Sequence, residues 1–202
     1  MLGRRNIFLI GPMGSGKSAV GKLLARQLRA PYYDSDAEIE NRTGVDIPYI
    51  FEKEGEAAFR EREREVIELL TAMEPVVVST GGGAILRPEN RACLAERGVV
   101  VYLETSIDQQ VGRVQHGRHR PLLHNVDPGE KLAELMAQRE PLYRGTADIT
   151  IASDGRKVHQ VVDRILAAIR LAATRLAAGG ATDGEGVESG APYIAAAADR
   201  PT

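Results

Sequence analysis

The octapeptide Gly11-Pro12-Met13-Gly14-Ser15-Gly16-Lys17-Ser18 stands between an apolar run, Ile7-Phe8-Leu9-Ile10, and the helix-prone stretch Ala19-Val20-Gly21-Lys22-Leu23-Leu24. A G-x-x-x-x-G-K-S pattern between a strand and a helix is a P-loop. Its glycines let the turn curl until successive backbone N–H groups point at one phosphate, and the start of the helix adds a positive dipole. In that pattern Lys17 reaches the β- and γ-phosphates of a nucleotide and Ser18 offers its hydroxyl to Mg²⁺. A nucleoside triphosphate or similar phosphate donor follows from the motif. The fate of its phosphoryl group does not.

Short β-rich runs alternate with helical stretches along the rest of the chain, which predicts a parallel sheet covered on both faces. The strand candidates are Asn6 to Ile10, Pro31 to Tyr33, Val76 to Ser79, Val99 to Leu103 and Asp148 to Ile151. Helices are expected near Lys17–Arg29, Ala57–Thr71, Glu89–Arg97, Ser106–Val114, Pro128–Tyr143 and Lys157–Ala178. The fold class is therefore α/β, a five-stranded parallel sheet flanked by helices, in which ligands gather at the carboxyl ends of the strands. With 202 residues, one domain is expected over 1–178, followed from Gly179 to Thr202 by a Gly-rich tail read as disordered.

Composition narrows the partners. The 26 Lys and Arg residues against 28 Asp and Glu give a formal charge of −2, so no global field gathers nucleic acid or a membrane surface. The single cysteine, Cys93, excludes an internal disulfide and reads as a packing residue. The apolar run after Arg4-Arg5 is too short for a signal peptide or a membrane span, which points to a cytoplasmic protein.

Four groups of residues sit where the ligands should be. Asp34-Ser35-Asp36 follows the second strand, and a spacing of two puts both carboxylates on one side of an extended segment. One could assist Mg²⁺ through a water while the other accepts the proton of an attacking hydroxyl; helix capping is the competing use of both. The third strand ends in Ser79-Thr80-Gly81-Gly82-Gly83, without the aspartate usual there in P-loop proteins, which favours Asp34 for the metal. Three glycines in a row let backbone N–H groups approach a ligand closely.

On the helix after Glu56, the residues Phe59, Val66, Ile67 and Leu70 form the apolar stripe, with Glu61, Arg62, Arg64 and Glu65 outside. Glu56, Arg60 and Glu63 fall on or beside that stripe. Charge facing inward is costly unless paired or wetted, so this end of the helix should face a polar cavity or carry an edge ion pair. Finally, Arg113, Arg118 and Arg120 surround Gly117 and Pro121, which break the helix into a basic loop able to close over a nucleotide and deliver an arginine to the transferred phosphoryl group. Arg139 is another candidate anion ligand.

In combination these residues resemble the shikimate kinase family of P-loop small-molecule kinases. The pieces that carry the resemblance run in order from about Arg4 to Leu171: the Gly11–Ser18 loop, Asp34-Ser35-Asp36, Phe59-Arg60 with Glu63, Gly81-Gly82-Gly83, Arg120-Pro121-Leu122-Leu123, and Arg139 before Pro141-Leu142-Tyr143. The resemblance implies a nucleoside monophosphate kinase-like fold with a mobile lid, and phosphorylation of the 3-hydroxyl of shikimate by ATP with Mg²⁺. It implies ATP contacts at Gly14, Ser15, Gly16, Lys17, Ser18 and Ala19, with Arg113 over adenine, Arg120 as the lid arginine and Arg156 on the adenine side. Asp36, Arg60, Gly82 and Arg139 would bind shikimate; Ser18 and Asp34 would serve the metal; Lys17, Asp36 and Arg120 would be catalytic. Shikimate and ATP are the expected partners of a monomer that uses neither nucleic acid nor membrane. Another small-molecule or nucleotide kinase of this architecture is the nearest rival, and a nucleotide-binding protein without turnover the rival from another class. A regulatory GTPase is disfavoured because no Asn-Lys-x-Asp tetrapeptide occurs.

Overall fold

Alternation along β1 (Asn6–Ile10) decides how the sheet is covered. Every residue of this strand is buried: Phe8 and Ile10 enter one apolar cluster, Ile7 and Leu9 the other. A strand buried on both faces belongs at the centre of a parallel sheet. The computed structural model, which describes residues 6–114, 127–179 and 194–195, places it there.

β1 pairs in parallel with β3 (Val77–Ser79) on one side and with β4 (Gly98–Glu104) on the other. β2 (Tyr32–Asp34) lies beyond β3, and β5 (Ile149–Ala152) lies beyond β4. The five expected strands thus stand in the order β2-β3-β1-β4-β5. One addition comes from the tail: Ile194–Ala195 form β6, a two-residue strand parallel to β5 at the sheet edge, with Ile149 opposite Ile194. The other tail residues from 180 onward lie outside the described residues, as does the basic loop at 115–126 with Arg118 and Arg120.

Between the strands run α1 (Lys17–Leu28), α2 (Ser35–Thr43), α3 (Ile47–Thr71), α4 (Pro88–Arg97), α5 (Ile107–Val114), α6 (Pro128–Thr146) and α7 (Val158–Gly179). Two of these go beyond the sequence reading. α2 starts directly after β2, and its apolar content is thin enough that periodicity does not reveal it; Asp34 caps it instead, accepting from the N–H groups of Asp36 and Ala37. The expected helix over Ala57–Thr71 gains an N-terminal limb, capped by Asp46 and joined through Gly55, whose backbone (φ 81°, ψ 173°) breaks the helical run. α1 and α7 cover the Ile7/Leu9 face, while α3 and α4 cover the Phe8/Ile10 face.

The tail tests how much of the fold lies before it. β6 adds two residues on an exposed edge, where a few net hydrogen bonds at about 0.5–1.5 kcal/mol each are offset by about 1–2 kcal/mol of ordering per residue. Deleting the chain after Ala178 is therefore expected to move the thermal midpoint by less than about 2 °C and to leave turnover unchanged. A loss of several degrees in a melting experiment would show that the tail docks more firmly than its two-residue strand implies.

Candidate active site

The turn from β1 into α1 carries three glycines with positive φ: Gly11 (139°), Gly14 (78°) and Gly16 (92°). Side chains rarely adopt such backbones. At Gly14 the reason is also steric, since a Cβ would lie 3.2 Å from the Cα of Gln110 in α5. Lys17 is nearly buried, and its Nζ donates to the carbonyls of Gly11 and Pro12 at 2.7 Å each, so its charge lies across the mouth of the loop. Ser15 is buried and Ser18 opens outward, while Ala19 continues the first turn of α1. Arg113 reaches over from α5, its Nη1 donating to the Gly14 carbonyl at 2.8 Å.

Asp34 divides its two oxygens between α2 and the P-loop. Its Oδ1 caps α2, while its Oδ2 accepts from the Ser18 hydroxyl at 2.8 Å and from Tyr32 Oη at 3.4 Å. The two carboxylate oxygens are thus split between the cap of α2 and the Ser18 hydroxyl of the P-loop. A serine hydroxyl beside a carboxylate oxygen, next to a phosphate-binding loop, is a set of hard oxygen donors that fits Mg²⁺ keeping most of its waters. Ser79 stands where an aspartate is usual and is committed elsewhere, its hydroxyl donating to the Lys17 carbonyl at 3.0 Å. A cavity of about 350 Å³ opens beside this group, lined by Ser18, Lys22, Tyr32 and Asp34 among others.

The acceptor side is built around an ion pair. Arg60 Nη1 donates to Glu63 Oε2 at 2.7 Å, and its Nε and Nη2 both donate to Glu56 Oε1. Glu63 is 1% exposed and Arg60 9%, so the inward charge expected from helical spacing is confirmed for these two. Glu56 corrects that expectation: its side chain is 55% exposed and lies at the rim. Burial pushes the Glu63 carboxyl up, opposed first by Arg60 and then by Arg139. For Arg60, burial works against the charge, but Glu63 and Glu56 outweigh it and hold the guanidinium above its ordinary value.

The glycine turn makes room for this pair. A Cβ on Gly81 would sit 2.4 Å from Asp36 Oδ1 and 2.9 Å from Glu63 Oε1, and one on Gly83 would sit 2.4 Å from Arg60 Nη1. Two of the three glycines therefore admit charged side chains, not a ligand. Gly82 differs, because its Cβ would meet nothing closer than 3.4 Å. Arg139, 6% exposed on α6, acts electrostatically on Glu63, and its buried Nε has no hydrogen-bond partner among the described residues.

Asp36, Arg60, Gly82 and Arg139 are thus brought together beside the P-loop, and Arg113 is brought to the loop itself. Arg156 Nη1 donates to the Ala152 and Asp154 carbonyls of its own turn, after β5. Sequence reasoning overlooked Asp154 and Gln110. Asp154 accepts from the Thr105 hydroxyl and the Ser106 N–H at the start of α5. Burial opposes its charge, yet these donors hold its carboxyl below the ordinary range. Its signal in the sequence is only a lone Asp after a strand, and its use depends on a segment 48 residues away.

A P-loop beside a separate cluster of buried charged side chains is the arrangement of a P-loop kinase of the small-molecule class. Comparison with known proteins agrees, since a family model for shikimate kinase matches residues 13–170. A shikimate kinase of Pseudomonas syringae pv. tomato is 56% identical over 163 residues, 81% of this chain and 95% of the relative. One from Methylococcus capsulatus is 51% identical over 176 residues, 87% of this chain and 98% of the relative. A solved shikimate kinase from Acinetobacter baumannii, in complex with shikimate, is 42% identical with a TM-score of 0.79, covering 90% of this chain and 97% of that one. The chain belongs to the shikimate kinase family. A gluconokinase from Sinorhizobium meliloti, 20% identical with a TM-score of 0.54 over 87% of this chain and 97% of its own, shares the fold.

The glycine turn supplies a direct test of this geometry. Gly81→Ala is expected to displace the Asp36 carboxylate and lower the thermal midpoint by several degrees, since overpacking costs about 1–3 kcal/mol and each kcal/mol is about 2–4 °C at this size. Gly82→Ala should melt within about 2 °C of the unaltered protein, because its Cβ meets only ordinary contacts. Equal midpoints for the two variants would contradict the placement of Asp36 and Glu63 against Gly81.

Proposed function

We propose that the protein transfers the γ-phosphoryl group of ATP to the 3-hydroxyl of shikimate, giving shikimate 3-phosphate and ADP on the route to chorismate and the aromatic amino acids. The observation that carries this reading is the convergence of Arg60, Glu63, Arg139 and Asp36 around the glycine turn beside the P-loop. Shikimate has one planar carboxylate and a row of ring hydroxyls. Guanidinium groups match the former, and a carboxylate acceptor matches the latter.

Arg60 and Arg139 hold the acceptor carboxylate, and Gly82 contacts the acceptor from the glycine turn. Asp36 receives the proton of the 3-hydroxyl as the oxygen–phosphorus bond forms and the bridge to ADP breaks. A loose transition state needs little deprotonation, so orienting the hydroxyl is the larger part of that role. Lys17 exchanges its two carbonyl partners for the β- and γ-phosphates, where its charge opposes the charge that develops. Gly14, Ser15, Gly16, Ser18 and Ala19 hold the phosphates through backbone and hydroxyl donors, with Arg113 beside the nucleotide, Arg156 on its adenine side and Arg120 arriving from the basic loop. Ser18 directly, and Asp34 through water, would hold Mg²⁺, whose charge neutralises the phosphate oxygens when bound.

Residues 1–178 form the kinase unit in this reading, working as a cytoplasmic monomer, with 179–202 as an appended tail. Among the described residues no helix is long and apolar enough to cross a membrane.

An ADP-release assay over shikimate, gluconate and a nucleoside monophosphate tests the acceptor. Shikimate should be preferred, and Arg60→Lys, which keeps the charge and loses the fork, should raise its KM at least about tenfold with the KM for ATP little changed. Preference for an acceptor without a carboxylate sinks the substrate assignment. Arg120→Ala should chiefly lower kcat, by the about 10²–10³-fold typical of losing one group that acts on transition-state charge; a rise confined to the KM for ATP would make it a ground-state contact.

A further inference from the structure

Tyr143 has no part in the chemistry above, yet its hydroxyl stands where the two sides of the acceptor pocket meet. It follows Arg139 by four residues on α6 and so shares its helix face. The ring is fully buried and stacked on Tyr102, with centroids 5.1 Å apart and planes 15° from parallel, which fixes the position of the hydroxyl. That hydroxyl donates to the Gly82 carbonyl at 2.5 Å.

A phenol has one proton to give, and once it is given to Gly82 the oxygen can only accept. The Arg139 guanidinium, one helical turn earlier on the same face, acts on this oxygen through its charge and as a hydrogen-bonding group, and Glu63 and Arg60 act on it through their charges. Burial, the largest influence, pushes this phenol well up, so it keeps its proton throughout the working range of an enzyme.

We propose that Tyr143 is a positioning residue for the acceptor: one hydroxyl ties Arg139 of α6 to Gly82 of the glycine turn and sets the spacing between guanidinium and turn that a small hydroxy acid must fit. The inference rests on the acceptor reading given above. Two observations separate it from an ordinary core tyrosine. Gly82 has no tight contact that would wedge it, its Cβ position meeting Met13, Gly11 and Tyr143 at ordinary van der Waals distances of 3.4–3.7 Å, so the Tyr143 hydrogen bond adds a directional restraint on this part of the turn. Arg139 is buried with its Nε unpartnered among the described residues, so no anchor at that nitrogen aims its fork. Removing the hydroxyl leaves the Gly82 carbonyl without its donor and takes a partner from Arg139.

Tyr143→Phe keeps the ring, the stacking and the volume. The experiment measures steady-state kinetics with shikimate and ATP varied separately, shikimate binding by calorimetry, and the thermal midpoint, in both the unaltered and the Arg139→Lys background. The KM and Kd for shikimate should rise about tenfold, equivalent to about 1.4 kcal/mol, with the KM for ATP within twofold. In the Arg139→Lys background the effect should shrink to about threefold or less, because contacting residues that act through one another are not additive. Tyr102→Phe is the control: its buried hydroxyl has no hydrogen-bond partner among the described residues, and its loss should leave the KM for shikimate unchanged. A lower midpoint with the KM for shikimate within twofold of normal makes Tyr143 structural and overturns the inference, as does an equal effect in both backgrounds. Failure of the unaltered enzyme to use shikimate at all would instead sink the acceptor reading, so the two failures are distinct.

Discussion

The buried Arg60–Glu63 pair is the interaction around which the acceptor half of the molecule is assembled. Taking a carboxylate and a guanidinium out of water costs several kcal/mol per ion, recovered only with good geometry and further hydrogen bonds. Arg60 meets that requirement with further bonds to Glu56, while Glu63 Oε1 is buried without a hydrogen-bond partner among the described residues; four elements contribute, as α3 supplies both ions, the glycine turn clears the space, α2 brings Asp36 to Gly81, and α6 adds the charge of Arg139. An apolar core would be cheaper at this place. What the pair adds is a fixed, charged wall beside the glycine turn.

The donor half obeys a different constraint, set by backbone conformation. Three positive-φ glycines shape the β1–α1 turn, and Lys17 is held against that turn by the carbonyls of Gly11 and Pro12. Asp34 joins the two halves. One of its oxygens starts α2, which carries Asp36 to Gly81, and the other accepts from Ser18 of the P-loop. Any change at Asp34 is therefore felt in both.

How much of this was legible in the sequence varies with the range of the interaction. The five strands, most helices and the P-loop follow from local periodicity and from one strongly constrained motif. α2 and the first limb of α3 escaped because capping by Asp34 and Asp46, not an apolar stripe, defines where they start. The glycine turn was located from sequence but its use was misjudged in part, since the space at Gly81 and Gly83 is filled by Asp36 and Arg60. β6 could not be foreseen from a Gly-rich tail, because a two-residue strand has no periodicity to detect.

By itself the sequence determined the phosphate-binding turn, the α/β class and the inward charge on α3, all of which depend on residues within about two helical turns of one another. Only the tertiary structure decided that Glu56 lies at the rim while Glu63 is buried, that Asp154 holds the start of α5, and that Tyr143 meets Gly82 across 61 positions of chain. The physical reason is that burial and hydrogen-bond partnership belong to pairs of segments. A side chain's neighbours along the chain fix the direction in which it points, and the packing of distant segments fixes what it meets there.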